Sequence, residues 1–176
     1  HIDPFGTILL PGLLLFLHAP FLFGYAKPVP VNFAALRHPR RDMVLVAGAG
    51  PGINIVLAVA AALLAHVVGL LPMGAREWTV LNLENAIVIN VVLAVFNMIP
   101  LPPLDGGRVA VGLLPNALAA PLAGLERYGM LIIIGVLFIL PIVGAQLGTN
   151  LNLIGWLLGG PVDAVIDAIL KVTGNA

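Results

Sequence analysis

The chain contains no cysteine. That excludes disulfides, thiolate metal sites and a cysteine nucleophile together. Charge is nearly as scarce: 9% of the residues are Asp, Glu, Lys or Arg, against about 25% in an ordinary soluble domain. With 60% hydrophobic residues and a mean hydropathy of +1.09, there is too little polar side chain to cover a surface in water, so lipid must be the solvent. The formal net charge is zero, so overall charge suggests no nucleic-acid partner. Neither a repeat of fixed period nor a low-complexity tract is visible. The opening His1-Ile2-Asp3-Pro4 has no basic n-region and no cleavage signature, which argues against a signal peptide. The expectation is a fragment that begins mid-protein. Its 176 residues suit one transmembrane domain, 1–176.

What is abundant is long hydrophobic segments, which predict an all-α membrane protein, a polytopic helical bundle of about four spans. The first segment, about Thr7 to Tyr25, is broken by Pro11 and Pro20 and carries His18, so it reads as irregular or re-entrant. The second, Met43 to Leu71, opens with Ala47-Gly48-Ala49-Gly50-Pro51-Gly52. These small residues allow close backbone approach of a neighbouring helix. The third runs from Glu84 to Ile99 and stops at Pro100; the fourth, Tyr128 to Leu147, is the cleanest span. The last, Leu151 to Val172, reads either way: Gly159-Gly160-Pro161 should break it, and Asp163 and Asp167 share a face, as in an interfacial helix.

Loop charges orient the bundle. Lys27, Arg37, Arg40 and Arg41 follow the first segment, and Arg108 and Arg127 follow the third, whereas the intervening loop holds only Arg76. Six basic residues against one place the first and third loops in the cytoplasm. Arg37-His38-Pro39-Arg40-Arg41 serves as a positive-inside flank that can also touch anionic lipid headgroups. Lys27-Pro28-Val29-Pro30-Val31 cannot be helical, because each proline restricts the residue before it. It is expected as a short extended edge segment beside the membrane.

The stretch with most chemical content is Phe96-Asn97-Met98-Ile99-Pro100-Leu101-Pro102-Pro103-Leu104-Asp105-Gly106-Gly107-Arg108. A hydrophobic helix ends in a proline-rich run that delivers one carboxylate beside Gly-Gly. An ionisable group on irregular backbone at the membrane is costly unless paired or metal-bound. On local pattern alone, Asp105 caps a short helix, Gly107 to Leu114, or pairs with Arg108. Asn54 and Asn97, read alone, are interhelical hydrogen-bonding residues worth roughly 0.6 kcal/mol each. His18 is most simply a hydrogen-bonded membrane histidine, His66 an interfacial one and His38 part of a solvated basic loop.

Asn97-x-x-Pro100 leading into Pro102-Pro103-Leu104-Asp105-Gly106-Gly107-Arg108 resembles the second signature of the site-2 proteases, the intramembrane zinc metalloproteases. Three further blocks resemble that family in the same order: His1-Ile2-Asp3-Pro4-Phe5-Gly6-Thr7, Ala26-Lys27-Pro28-Val29-Pro30-Val31-Asn32 and Ala49-Gly50-Pro51-Gly52-Ile53-Asn54. Beyond Arg108 the likeness is only hydrophobic patterning. The resemblance implies a metalloendopeptidase that hydrolyses peptide bonds in or beside transmembrane segments of protein or peptide substrates. It implies Zn2+ as cofactor, Asp105 as a zinc ligand, and Asn54 and Asn97 lining the substrate. It also implies a multi-pass protein in membrane lipid with its active-site side cytoplasmic, and a substrate able to pair as an added strand with Lys27–Val31.

The family's other zinc ligands and its general base belong to an HExxH motif. Two imidazoles one helical turn apart and a carboxylate from another element leave the fourth zinc position for water. This sequence has no HExxH. Its histidines are His1, His18, His38 and His66, with no pair spaced i,i+4. In the family the motif lies upstream of the block that opens here with His1. The chain by itself is therefore expected to hold zinc weakly and to be inactive. Two other readings remain: a non-catalytic adaptor that binds membrane helices, and a small transporter, since Gly/Pro-interrupted helices bearing asparagine occur twice.

Overall fold

Proline and small-residue placement set the helix boundaries. A computed structural model describes residues 38–175, together with Leu9, Gly12 and Phe16. The chain divides into two compact units, His1–Leu36 and Arg37–Ala176, and the helices given below belong to the second. In the first, Gly12 and Phe16 lie on helical backbone. The segment expected over Thr7–Tyr25 is otherwise outside the described residues, as are His1, His18 and the extended segment Lys27–Val31.

Helix α1, Pro39–Ala65, starts with proline in its first turn, where the missing N–H costs nothing and the fixed φ suits a helix. It ends six residues before the expected Leu71, and a 3₁₀ turn, Val68–Leu70, follows. Helix α2, Met73–Asn97, has Pro72 at its N-cap. It begins eleven residues ahead of the expected Glu84, because Arg76, Glu77 and Trp78 continue a helix at a membrane surface without breaking it. Two short helices follow, α3, Asp105–Leu113, and α4, Asn116–Gly124. Helix α5 covers Glu126–Gln146. Its Gly135–Ile139 turn is π-helical and lies just ahead of Pro141, which has no N–H to donate and whose ring crowds the carbonyl four residues back.

Helix α6, Leu153–Thr173, corrects the expected break. It runs unbroken through Gly159-Gly160-Pro161. Pro161 removes one backbone bond, but both flanks are anchored. Asn152 Oδ1 accepts from the Gly155 N–H at 2.9 Å, and Val162, Ile169 and Thr173 are buried, so packing outweighs local propensity. Helices α1, α2, α5 and α6 are each long and apolar enough to cross a membrane. At about 1.5 Å per residue, 21 residues reach the roughly 30 Å of a hydrocarbon core. All regular structure among the described residues is helical.

The core joins Ala58, Ala61 and Ala62 of α1, Ile87 and Val91 of α2, and Val162 and Ile169 of α6. Alanine on one helix against β-branched side chains on its neighbours brings the backbones close, which is how helices hold together where lipid cancels the hydrophobic drive. Outward-facing Leu45, Ile53, Val56, Leu131 and Ile142 are exposed, as a lipid-facing surface requires. The end of the α1–α2–α6 core is tied by polar groups. His66 Nε2 donates to the Thr173 carbonyl at 2.7 Å, and Asn175 Nδ2 donates to the Ala62 carbonyl at 3.0 Å.

Candidate functional site

Asn97 ends α2, and the chain then turns through Pro100–Leu104 into α3. Two glycines seat α3 against that turn. A Cβ on Gly106 would overlap the Met98 carbonyl, and one on Gly107 would overlap the backbone at Leu101 and Pro102. Gly129 of α5 in turn presses on the Pro102 carbonyl. Backbone meets backbone at each of these points, so the start of α3 has no room to shift. Its far end is held too: the Arg40 guanidinium donates to Asn116 Oδ1, and Gly112 lies against Val44 and the Arg40 carbonyl. α3 therefore runs alongside the first half of α1, with Asp105 opposite Gly50 and Gly112 opposite Val44 and Arg40.

Asp105 is the first residue of α3, with Leu104 in the N-cap position. The helix expected over Gly107–Leu114 thus starts two residues earlier, and Asp105 lies inside its first turn and not at the N-cap. Arg108 forms its ion pair with Glu126 at 3.2 Å. The Asp105 carboxylate instead points at α1, where Oδ2 stands 2.9 Å from the place a Cβ on Gly50 would occupy. Desolvation raises its pKa above the usual aspartate value, while the charge of Arg108 pulls the other way. A carboxylate short of solvent is one that a bound cation would stabilise.

Asn54 stands one turn beyond Gly50 on α1, and Asn97 at the end of α2. Both are half-buried. Pro51, inside α1 and buried, cannot donate to the carbonyl of Ala47, so the helix beside Asp105 has a loosened backbone as well as small side chains. The small-residue run had promised close approach of a neighbour; what approaches Gly50 is a carboxylate. The seating of α3 by Gly129 left no trace in local sequence, because the two contacting stretches are 27 positions apart. The Arg108–Glu126 pair was missed for the same reason.

A carboxylate oxygen suits zinc. Among the described residues no group of three or more His, Asp or Glu side chains comes together as a metal site. Asp105 fits as one donor of a set whose other members would lie outside the described residues.

Fold and site together define a multi-pass helical membrane protein in which a carboxylate that follows a proline-rich turn is directed at the Gly50 surface of one span. Residues 73–142 match the family model described as peptidase family M50. The chain is also 38% identical over 156 residues to "Putative zinc metalloprotease YwhC" of Bacillus subtilis strain 168, an alignment covering 86% of this chain and 67% of that protein. The chain belongs to peptidase family M50, the site-2 protease family. No solved structure matches it.

Proposed function

We propose that this chain belongs to an intramembrane zinc metalloendopeptidase that cleaves protein or peptide substrates in or beside their transmembrane segments. The observation that carries the reading is the Asp105 carboxylate, partly desolvated and turned toward α1, in a member of a zinc metallopeptidase family. Asp105 would give zinc one oxygen ligand. When bound, zinc supplies a Lewis acid that activates water and polarises the scissile carbonyl. Asn54 and Asn97 would hydrogen-bond an unwound substrate backbone and hold it in register. The active-site side would be the cytoplasmic one, a reading supported by α3 lying along the half of α1 that begins with Arg40 and Arg41.

The test uses the full-length protein. Asp105→Asn should abolish cleavage of a transmembrane substrate and reduce bound zinc, yet leave insertion and folding intact, because an amide is a much poorer zinc ligand than a carboxylate. Asn97→Ala should be milder, slowing turnover by an equivalent of about 1 to 3 kcal/mol. Wild-type proteolysis and zinc content in Asp105→Asn would reject the assignment. The 176-residue chain alone should show well under one zinc per chain by elemental analysis, since one carboxylate leaves the ion mostly hydrated. Stoichiometric, chelator-resistant zinc there would reveal a different ligand set.

A further inference from the structure

We infer that Gly50 is the positioning residue for Asp105, resting on the zinc-ligand role proposed above. Two observations combine. The first is that the Asp105 backbone cannot move: Gly106 and Gly107, immediately after it, are packed onto the Met98 carbonyl and the Leu101–Pro102 backbone with no space for a methyl group. The second is that, among the described residues, Asp105 alone faces Gly50. Within 4 Å of the Cβ position at Gly50 the described residues outside the helix's own backbone place two atoms, Asp105 Oδ2 at 2.9 Å and Asp105 Cγ at 3.9 Å. The α1 surface at residue 50 is thus a wall whose height sets where the carboxylate stops.

An alanine there changes one thing. Ordinary contact with a Cβ begins at 3.4 Å, so the Asp105 carboxylate must swing outward by about half an ångström, its backbone being held. Metal–ligand distances tolerate only about 0.2 Å. The displacement exceeds the tolerance, so the cost falls on the metal and not on the fold. Gly48, half a turn earlier on α1, has nothing within 4 Å of its Cβ position. It is the natural control, since both substitutions place alanine in the same stretch of helix.

In the full-length protein, Gly50→Ala should weaken zinc binding at least about 10-fold, the scale seen when a ligand's orienting neighbour is altered. Affinity is read by competition with a chromogenic chelator, and ligand geometry by the visible spectrum of the Co2+-substituted protein, which should change. Gly48→Ala should leave both readouts as in wild type. In an Asp105→Ala background, Gly50→Ala should have no further effect on zinc affinity, because it acts only through the carboxylate. Wild-type affinity and spectrum in Gly50→Ala would overturn the inference, as would an equal further weakening when Asp105 is already gone. Failure of Gly50→Ala to fold where Gly48→Ala folds would overturn it too, since that would mean more than Asp105 is displaced. A wild-type protein without stoichiometric zinc would instead sink the proposed function, which keeps the two failures distinct.

Discussion

Glycines and one carboxylate carry most of the consequence at the scale of single residues. Gly106 and Gly107 differ from Gly50 in what they face. Backbone atoms of Met98, Leu101 and Pro102 stand where their methyl groups would go, and backbone yields only if the whole Pro100–Leu104 turn moves. Gly107→Ala should therefore destabilise the folded protein by about 3 kcal/mol, at the upper end of the usual overpacking penalty. Gly124→Ala, with nothing within 4 Å, should be neutral or slightly stabilising through helix propensity. Unfolding in mixed micelles of increasing SDS content measures both, and equal midpoints for the two would contradict the seating of α3. Asp105 stood out in sequence as a carboxylate beside Gly-Gly after a proline run, but its partner Gly50 did not. Their contact spans 55 positions, and no local pattern encodes which of six consecutive small residues will meet it.

Among the elements, α6 shows packing overruling local signals. Gly159-Gly160-Pro161 reads as a breaker, yet the helix persists because its second half is buried against α1 and α2 and its last turn is tied to the end of α1. That tie rests on His66, Thr173 and Asn175, with Gly174 at φ 75° turning the chain out of the helix. Asn175→Ala deletes the bond to the Ala62 carbonyl and should cost about 1 kcal/mol. It should also speed hydrogen exchange in the last turn of α6, while the first turn, capped by Asn152, stays unchanged. Uniform exchange along α6 in the variant would show that the end tie is not holding the helix. The same logic explains α5: Pro141 leaves the span continuous, at the expense of one widened π-helical turn.

For the molecule as a whole, the question is which end faces which compartment. Arg40 bonded to Asn116 puts these two residues at one end, and α3 runs from there along α1 to Asp105 opposite Gly50. Arg76 folds back on its own loop, donating to the carbonyls of Leu71 and Gly69 at 2.8 and 2.6 Å. The absence of cysteine allows a clean test with single substitutions. Arg41→Cys and Ala117→Cys should react with a membrane-impermeant maleimide only when the cytoplasmic side is exposed, and Gly74→Cys only from the opposite side. Labelling of Gly74→Cys and Arg41→Cys from the same side would refute the topology.

Composition determined the solvent and therefore the fold class. With so few charges and such long apolar runs, backbone polar groups have no water to turn to, and helices are the economical way to satisfy them. Pro39 and Pro72 stand at the starts of α1 and α2, as suits a residue without an N–H, although hydrophobic patterning put those starts at Met43 and Glu84. Tertiary structure alone decided that α6 continues through its proline, that Arg108 pairs with Glu126 rather than serving Asp105 as sole partner, and that Gly50 is the wall the carboxylate meets. Each of these depends on contacts between stretches 18 or more positions apart in α3, α5 and α1, or on burial of a helix face by its neighbours. Local propensity sees neither, since the energy of such a contact exists only once the chain has folded back on itself.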